Sequence, residues 1–305
     1  MKPITVSITT RNRAAAVERC LRSLGSIADI VETVIVLDDA STPPVDRDAL
    51  VRAATACGVP LEVIRADKQQ GTAAARNRIA FLARTPYVLS LDDDAYLLGD
   101  AAVRRAYALL QNDPAVAAVA FAQADETGRR FPDPQQPAAV AVPSYVPTFI
   151  GFAVLIARDR LVAIGGYREA FEINGEEREV SLRWLDRGWR VVYLPDAAVA
   201  HVADPSNRDV PAYVRRVMRN DCLAAIYNEP LARAVVIIPF KFWCFIRMRA
   251  TLPQGDPGGL RWLTRELLRA APEAIRARRP VKWSTIREWR RTRTELGPYQ
   301  PGSPK

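Results

Sequence analysis

The sequence predicts an α/β protein: a mainly parallel sheet flanked by helices, followed by a helical, basic C-terminal extension. Three observations carry this expectation. Across the N-terminal two thirds, short runs rich in Val, Ile and Leu alternate with helix-length stretches, the pattern of successive β–α–β units. Two of those runs end in carboxylates, Asp38-Asp39 and Asp92-Asp93-Asp94, and the carboxyl ends of strands are where open α/β sheets bind ligands. The charge is unevenly divided: the chain carries a net +9, yet residues 207–305 alone hold 20 Lys/Arg against 8 Asp/Glu. This break puts a domain boundary near Asp204-Pro205, with residues 1–204 as one unit and 205–305 as the extension.

Residues 4–8 read as the first strand, and the loop Thr9-Thr10-Arg11-Asn12-Arg13 leads into a helix over 14–24. A second strand over 33–37 runs into Asp38-Asp39-Ala40-Ser41; Pro43-Pro44 break the chain before a helix over 46–56. A third strand spans 61–64, and Gly71 precedes an alanine-rich helix over 72–84. The run Tyr87-Val88-Leu89-Ser90-Leu91 then delivers the three acids, followed by a helix over 100–111 and a strand over 116–121. Residues 123–147 hold five prolines and read as a long loop, a feature that compact domains usually keep for function. Strands over 149–157 and 191–194 bracket a Gly165-Gly166-Tyr167 turn and a helix over 176–187; the segment from Pro195 to His201 follows as irregular chain. Internal repeats and low-complexity tracts are not evident.

Composition narrows the class. An apolar content of 49% excludes a disordered chain. Cys20, Cys57, Cys222 and Cys244 form no CxxC pair, which suits a reducing compartment and argues against a disulfide framework or a zinc knuckle. The first residues run straight into a strand pattern without the apolar stretch of a signal peptide, so the expected location is cytoplasmic. No GxGxxG follows the first strand and no GxxxxGK[ST] is present, which weakens dinucleotide and P-loop readings. A recognisable RNA- or DNA-binding signature is also missing, so a nucleic-acid partner is not expected.

Three consecutive carboxylates at the tip of a buried strand are unfavourable unless something neutralises them. A hard divalent cation such as Mg²⁺ does so with one or two carboxylates and completes its shell with water and phosphate oxygens. Asp92-Asp93-Asp94 therefore reads as a metal–diphosphate site, against the plainer reading of a solvated acidic turn ahead of the next helix.

Taken in order, Thr-x-Arg-Asn after the first strand, Asp38-Asp39-Ala40-Ser41, Gly71 to Asn77, Leu91-Asp92-Asp93-Asp94, Gly165-Gly166-Tyr167, Gly175-Glu176-Glu177 and Pro195-Asp196 leading to His201 closely resemble glycosyltransferase family 2 over residues 4–203. The resemblance implies a GT-A fold with a Rossmann-like sheet, nucleotide-sugar binding over about 1–110 and acceptor binding over about 111–204. It further implies inverting transfer of a sugar from a UDP-, dTDP- or GDP-linked donor to an acceptor hydroxyl, with Mg²⁺ or Mn²⁺. Thr9, Arg11, Asp38 and Asp39 would hold the nucleobase and ribose, because an ionised acid is a pure acceptor for N–H and hydroxyl groups. Arg76 would lie near the nucleotide, Asn77 near the diphosphate, and Asp92 and Asp94 would form the DxD pair, with Asp93 ambiguous. His201, the only histidine, would join the metal or diphosphate, in competition with a plain buried role. The chain departs from the family's frequent Glu-Asp at Glu176-Glu177: Glu177 falls at the usual base position, and either acid suits the task. The alternatives are a sugar-phosphate nucleotidyltransferase, which would carry a glycine-rich loop that residues 1–24 lack, and a non-enzymatic membrane-docking module.

The extension bears on partners. Residues 234–246 are apolar but interrupted by Pro239 and Lys241, and thirteen residues fall short of the roughly twenty a spanning helix needs. Leu260, Leu263 and Leu267 recur at helical spacing beside arginines, as do Trp283, Ile286 and Trp289, and four of the six tryptophans lie in this tail. Tryptophan with Lys/Arg on amphipathic helices suits the headgroup layer of an anionic leaflet. The expectation is peripheral contact with the inner face of the cytoplasmic membrane through 234–293 and a glycan or lipid-linked acceptor. The competing use of the same faces is packing on the catalytic unit or in a homodimer.

Overall fold

The computed structural model describes residues 2–202, 209–252 and 255–301. The expected boundary at Asp204-Pro205 lies outside the described residues. Four parallel strands form one half of the sheet: β1 (Ile4–Thr10), β2 (Val31–Asp38), β3 (Leu61–Arg65) and β4 (Tyr87–Asp92). The other half holds β5 (Ala95–Leu97), β6 (Val116–Ala124), β7 (Ser144–Val146), β8 (Ala153–Ala157) and β9 (Arg190–His201). The strand order is β3-β2-β1-β4-β8-β6-β9-β5, with β7 also paired to β9. The sheet turns antiparallel at the β4–β8 pairing, so only the first half is a doubly wound parallel sheet.

Helices cover both faces. On one, α1 (Ala14–Ser23), α2 (Arg47–Ala56) and α4 (Ala101–Asn112) bury Val17, Leu21, Leu50, Val103 and Leu110 against Ile4, Val6, Ile8, Val34, Val36 and Leu89. On the other lie α3 (Thr72–Leu82), the short α5 (Arg158–Ala163) and α6 (Glu176–Asp186). There the alanines of α3 and β6 let helix and sheet approach closely, and Trp184 fills the space beside Tyr193.

Several sequence expectations are corrected. The strand expected over 149–157 begins only at Ala153; residues 149–152 bend into the site instead. Gly151 is why: a Cβ there would lie 2.7 Å from Glu177 Oε1 and 2.8 Å from Arg76 Nη1. The long loop over 123–147 contains the end of β6 and all of β7. β9 does not stop at Leu194. Leu194 pairs with Phe121 and Ala198 with Ala122, so Pro195-Asp196-Ala197 bulge out of the ladder, the place where a proline without an N–H is tolerated in a sheet.

The C-terminal chain forms α7 (Val210–Asn228), α8 (Leu231–Ala250), α9 (Gly259–Arg276) and α10 (Trp283–Thr294). Pro239 does not interrupt α8, which runs through it. Leu263 and Leu267 of α9 pack with Val214, Met218 and Leu223 of α7, and Ile286 and Trp289 of α10 pack on Leu182 of α6. Leu263, Leu267, Ile286 and Trp289 thus meet protein, the competing use of these faces, while Trp283 stays about half exposed. No described helix is long and apolar enough to cross a membrane. The final residues return to the sheet, where Tyr299 meets Tyr145 edge-on at 5.5 Å.

Gly166 holds φ +76°, and a Cβ there would stand 2.4 Å from Asn77 Oδ1. We expect Gly166→Ala to lose about 2–4 kcal/mol of stability, from backbone strain and from the displaced Asn77 contact. Urea unfolding at constant m-value measures it, and a loss below about 0.5 kcal/mol would contradict this packing.

Candidate active site

The site assembles at the carboxyl ends of adjacent strands because the register puts them level. Thr9 stands opposite Asp92 on β4, Thr10 opposite Asp38 on β2, and Ala95 of β5 opposite His201 of β9. The second short antiparallel pairing folds the chain after Asp94 back so that the only histidine reaches the acids.

Asp38 is buried, and its Oδ1 accepts the Ser41 backbone N–H at 2.8 Å while Oδ2 accepts Arg65 Nη1 at 2.6 Å. Burial pushes its carboxyl up, but Ser41, the Val45 N–H and the Arg65 charge outweigh it and hold it below the usual carboxylate range. Asp39 receives the backbone N–H groups of Gln70 and Gly71 at 2.7 and 2.9 Å and so fixes the loop that starts α3. Thr9 is partly exposed on the ledge between Asp92 and Leu37, and Arg11 is exposed in the loop after β1.

The three acids separate in environment. Asp93 is buried and accepts the Thr10 hydroxyl at 2.7 Å and Arg13 at 3.1 Å; burial and its acidic neighbours raise it to about 6. Asp94 accepts Arg13 at 2.7 Å and lies 3.4 Å from His201 Nε2; burial raises it, yet His201 and Arg13 bring it below its ordinary value. Asp92 is the most exposed of the three and accepts Arg76 Nη2 at 2.7 Å. Ligand atoms of Asp92, Asp94 and His201 all lie within 4.8 Å of one another. His201 stacks on Phe152 at 5.0 Å, and its Nδ1 meets Gln123 Oε1 at 2.5 Å. Gln123 donates its own amide to the Gln135 carbonyl, which turns its oxygen to Nδ1–H and leaves Nε2 facing the carboxylates. Two carboxylates and an imidazole nitrogen are a donor set able to hold a metal ion, and the Arg13 guanidinium marks the same spot as one that demands positive charge.

Arg76, in α3, is buried at the centre. It donates to Asp92, to the Gly151 carbonyl at 2.8 Å and to Glu176 Oε1 at 3.3 Å. Glu176 is enclosed, with Oε2 unpartnered, whereas Glu177 is partly accessible and places Oε1 against Gly151. Burial raises both carboxyls above their ordinary value; Arg76 pulls against it without prevailing. Asn77 departs from its expected place near the diphosphate. Its Nδ2 donates to the Tyr167 carbonyl and Glu169, and its Oδ1 accepts the Tyr167 N–H, so the whole amide is committed to the turn after Gly166.

Sequence reasoning missed Arg13, Thr10, Arg65, Gln123 and Gly151 as members of this site. Arg13 stood in the quoted loop after β1, but its pairing with Asp93 and Asp94 spans some eighty positions and leaves no local trace. Gln123 was hidden in a segment read as loop.

A family profile, glycosyl transferase family 2, matches residues 5–166, more than half the chain and the stretch that carries Asp38, Arg76 and Asp92 to Asp94. The chain belongs to glycosyl transferase family 2. It is also 30% identical over 216 residues to a pre-mycofactocin glycosyltransferase of Mycobacterium tuberculosis, a match that takes in 66% of this chain but 43% of that protein. Solved structures with the same GT-A fold include a mannosyltransferase from Pyrobaculum calidifontis in complex with GDP-Man and Mn²⁺ (20% identity, TM-score 0.57, covering 96% of this chain and 80% of that one). S. aureus TarS 1-349 in complex with UDP-GlcNAc is another (17% identity, TM-score 0.62, covering 96% and 88%). In this family member the end of β4 and the start of α6 thus bring the acidic strand end and the Glu176-Glu177 turn to one buried arginine.

Arg76→Met should leave Asp92 and Glu176 without their shared cation and cost about 3–5 kcal/mol. Adding Glu176→Gln should recover at least about 1 kcal/mol of that loss. Denaturant unfolding of the two single variants and the double variant measures the coupling, and strictly additive losses would show that the pair does not interact.

Proposed function

We propose that the protein is an inverting, metal-dependent glycosyltransferase that moves a sugar from a nucleoside diphosphate to a glycan or lipid-linked acceptor in cell-surface glycan synthesis. One observation carries the reading: Glu177, the partly accessible member of the carboxylate pair that starts α6, lies beside buried Arg76, whose other guanidinium nitrogen holds Asp92 of the Asp92, Asp94 and His201 group. Direct inversion needs one base on the acceptor side and a charge-stabilising group on the leaving side, and no second accessible carboxylate on α6 is needed as nucleophile.

Asp92, Asp94 and His201 would hold Mn²⁺ or Mg²⁺, which when bound supplies positive charge to the diphosphate oxygens. Thr9, Arg11, Asp38 and Asp39 line the nucleotide end, with Arg65 fixing Asp38 and the Asp39 carboxylate fixing the Gln70–Gly71 backbone. The nucleotide half is then about 1–110 and the acceptor half about 111–204, with the chain around Phe152 and the segment over 123–147 bordering the acceptor pocket. Glu177 takes the proton from the acceptor hydroxyl as that oxygen bonds to the anomeric carbon. The bond from this carbon to the diphosphate oxygen breaks on the opposite face, and the nucleoside diphosphate departs with the electron pair. Glu176, ion-paired with Arg76, positions the turn, while burial and the Asp92 charge keep the Glu177 carboxyl's proton affinity high. The related structures in complex with GDP-Man and with UDP-GlcNAc support a nucleotide-sugar donor. Peripheral contact with the inner face of the cytoplasmic membrane belongs to the same reading, because the extension is basic and exposes apolar side chains.

Glu177→Gln should lower kcat by about two to four orders of magnitude while donor affinity stays within about twofold. If Glu176→Gln were the inactive variant and Glu177→Gln active, the two roles would be exchanged. Because the Glu177 carboxyl is raised, turnover should fall as pH drops through a value above the ordinary glutamate pKa of about 4.3, where the base becomes protonated. A pH–rate profile locates that limb. Asp94→Ala should abolish the thermal stabilisation that UDP-, GDP- or dTDP-sugars confer with Mn²⁺. Undiminished transfer by this variant in EDTA would refute the metal–diphosphate assignment.

A further inference from the structure

We propose that the outward face of α8 is a docking surface that lies flat in the headgroup layer of an anionic lipid bilayer. This deepens the membrane contact proposed above by assigning it to one helix face. The two sides of α8 differ in what they meet, not in polarity. Ala234, Ile238, Phe242 and Phe245 pack with α7 and α9. Leu231, Val235, Val236, Phe240, Trp243 and Ile246 point outward, with Val236 68% and Trp243 53% exposed. A helix that is apolar all round is normally covered on every side.

The charges in this stretch are turned away from the outer face. Arg233 pairs with Glu229 and Lys241 with Asp221. Beyond the apolar stretch come Arg247 and Arg249; the Arg249 charge acts on Asp256, which is itself ion-paired with Arg215. The Arg247 guanidinium lies 5.6 Å over the Trp243 ring, which itself stacks on Phe240 at 5.8 Å. An apolar strip of aromatic and branched side chains that ends in the exposed Arg247 and the adjacent Arg249 complements an acyl layer rimmed by phosphates.

Geometry disfavours the two other ways of covering this face. One side of α8 is fixed to α7 and α9, so the helix lies along a surface and does not insert end-on. A second copy of the chain would cover the apolar strip without supplying phosphates to Arg247 at its end.

The test uses the full chain without donor or acceptor, so its outcome does not depend on the transfer reaction. In flotation with phosphatidylcholine vesicles containing 30 mol% phosphatidylglycerol, the protein should float at low salt and bind at least about tenfold less to phosphatidylcholine alone. Phe240→Asp with Trp243→Asp should reduce binding to the anionic vesicles at least about tenfold, since two buried aromatic contacts are lost. Arg247→Gln with Arg249→Gln should weaken it several-fold and flatten its salt dependence. Unchanged melting temperatures confirm that these variants fold. Quenching by brominated lipid acts as a second readout on the native sequence and should fall when Trp243 becomes Phe. Unchanged flotation of the Asp variant overturns the proposal. So does a chain that ignores vesicles but forms a dimer, by light scattering, that the Asp variant dissociates.

Discussion

A buried guanidinium is the constraint on which the rest of this structure depends. Arg76 has almost no solvent, so its charge must be met by protein, and the partners come from three parts of the chain: Asp92 at the end of β4, the Gly151 carbonyl ahead of β8, and Glu176 at the start of α6. Desolvating one cation costs several kcal/mol unless its partners are placed well. That requirement explains why Gly151 carries no side chain, why the expected strand over 149–152 is bent, and why α6 begins where it does. The same arginine leaves the two carboxyls of the Glu pair in unequal positions, one enclosed and ion-paired, the other partly accessible.

The C-terminal helices brace this arrangement. Asn220 of α7 donates to the carbonyls of Phe171, Ile173 and Asn174, the segment that leads into Glu176, and Asn228 donates to buried Glu179. Arg219 adds a bond to the Ala170 carbonyl. Residues 172 and 174 hold positive φ without being glycine, a backbone that needs such outside support. Asp221 receives both Arg178 of α6 and Lys241 of α8, so the extension and the helix of the Glu pair share a carboxylate. A division of the chain at its charge break therefore describes composition better than it describes packing.

The sequence made the parallel half of the fold legible because its strands are short, apolar and punctuated by Asp, Gly and Pro at their ends. It also marked Asp38, Arg76, Asp92, Asp94, Glu176 and Glu177, which stand where motifs fall at strand ends and helix starts. What stayed hidden depends on distant pairing. Arg13 and Gln123 gain meaning only when β1, β4, β6 and β9 lie side by side. Asn77 illustrates the opposite failure, since the family resemblance implies a place near the diphosphate, but successive helical residues point in different directions and this one meets the turn after Gly166. Amphipathic spacing marks α9 and α10 as helices but not what their faces meet: Leu263, Leu267, Ile286 and Trp289 pack on protein, while Trp283 stays exposed.

The Pro195-Asp196-Ala197 bulge in β9 sets a phase. Before it, even-numbered Val192 and Leu194 face the α1–α4 side of the sheet, while Val191 and Tyr193 face the other. After it, odd-numbered Ala197 and Val199 occupy the α1–α4 side, and His201 follows in step to reach Phe152. Side chains alternate with a period of two, so an uninterrupted strand of the same sequence would turn the imidazole to the opposite face of the sheet, away from Asp94. The parity of one irregular corner, rather than the identity of any residue in it, decides whether the chain's only histidine stands with its acids.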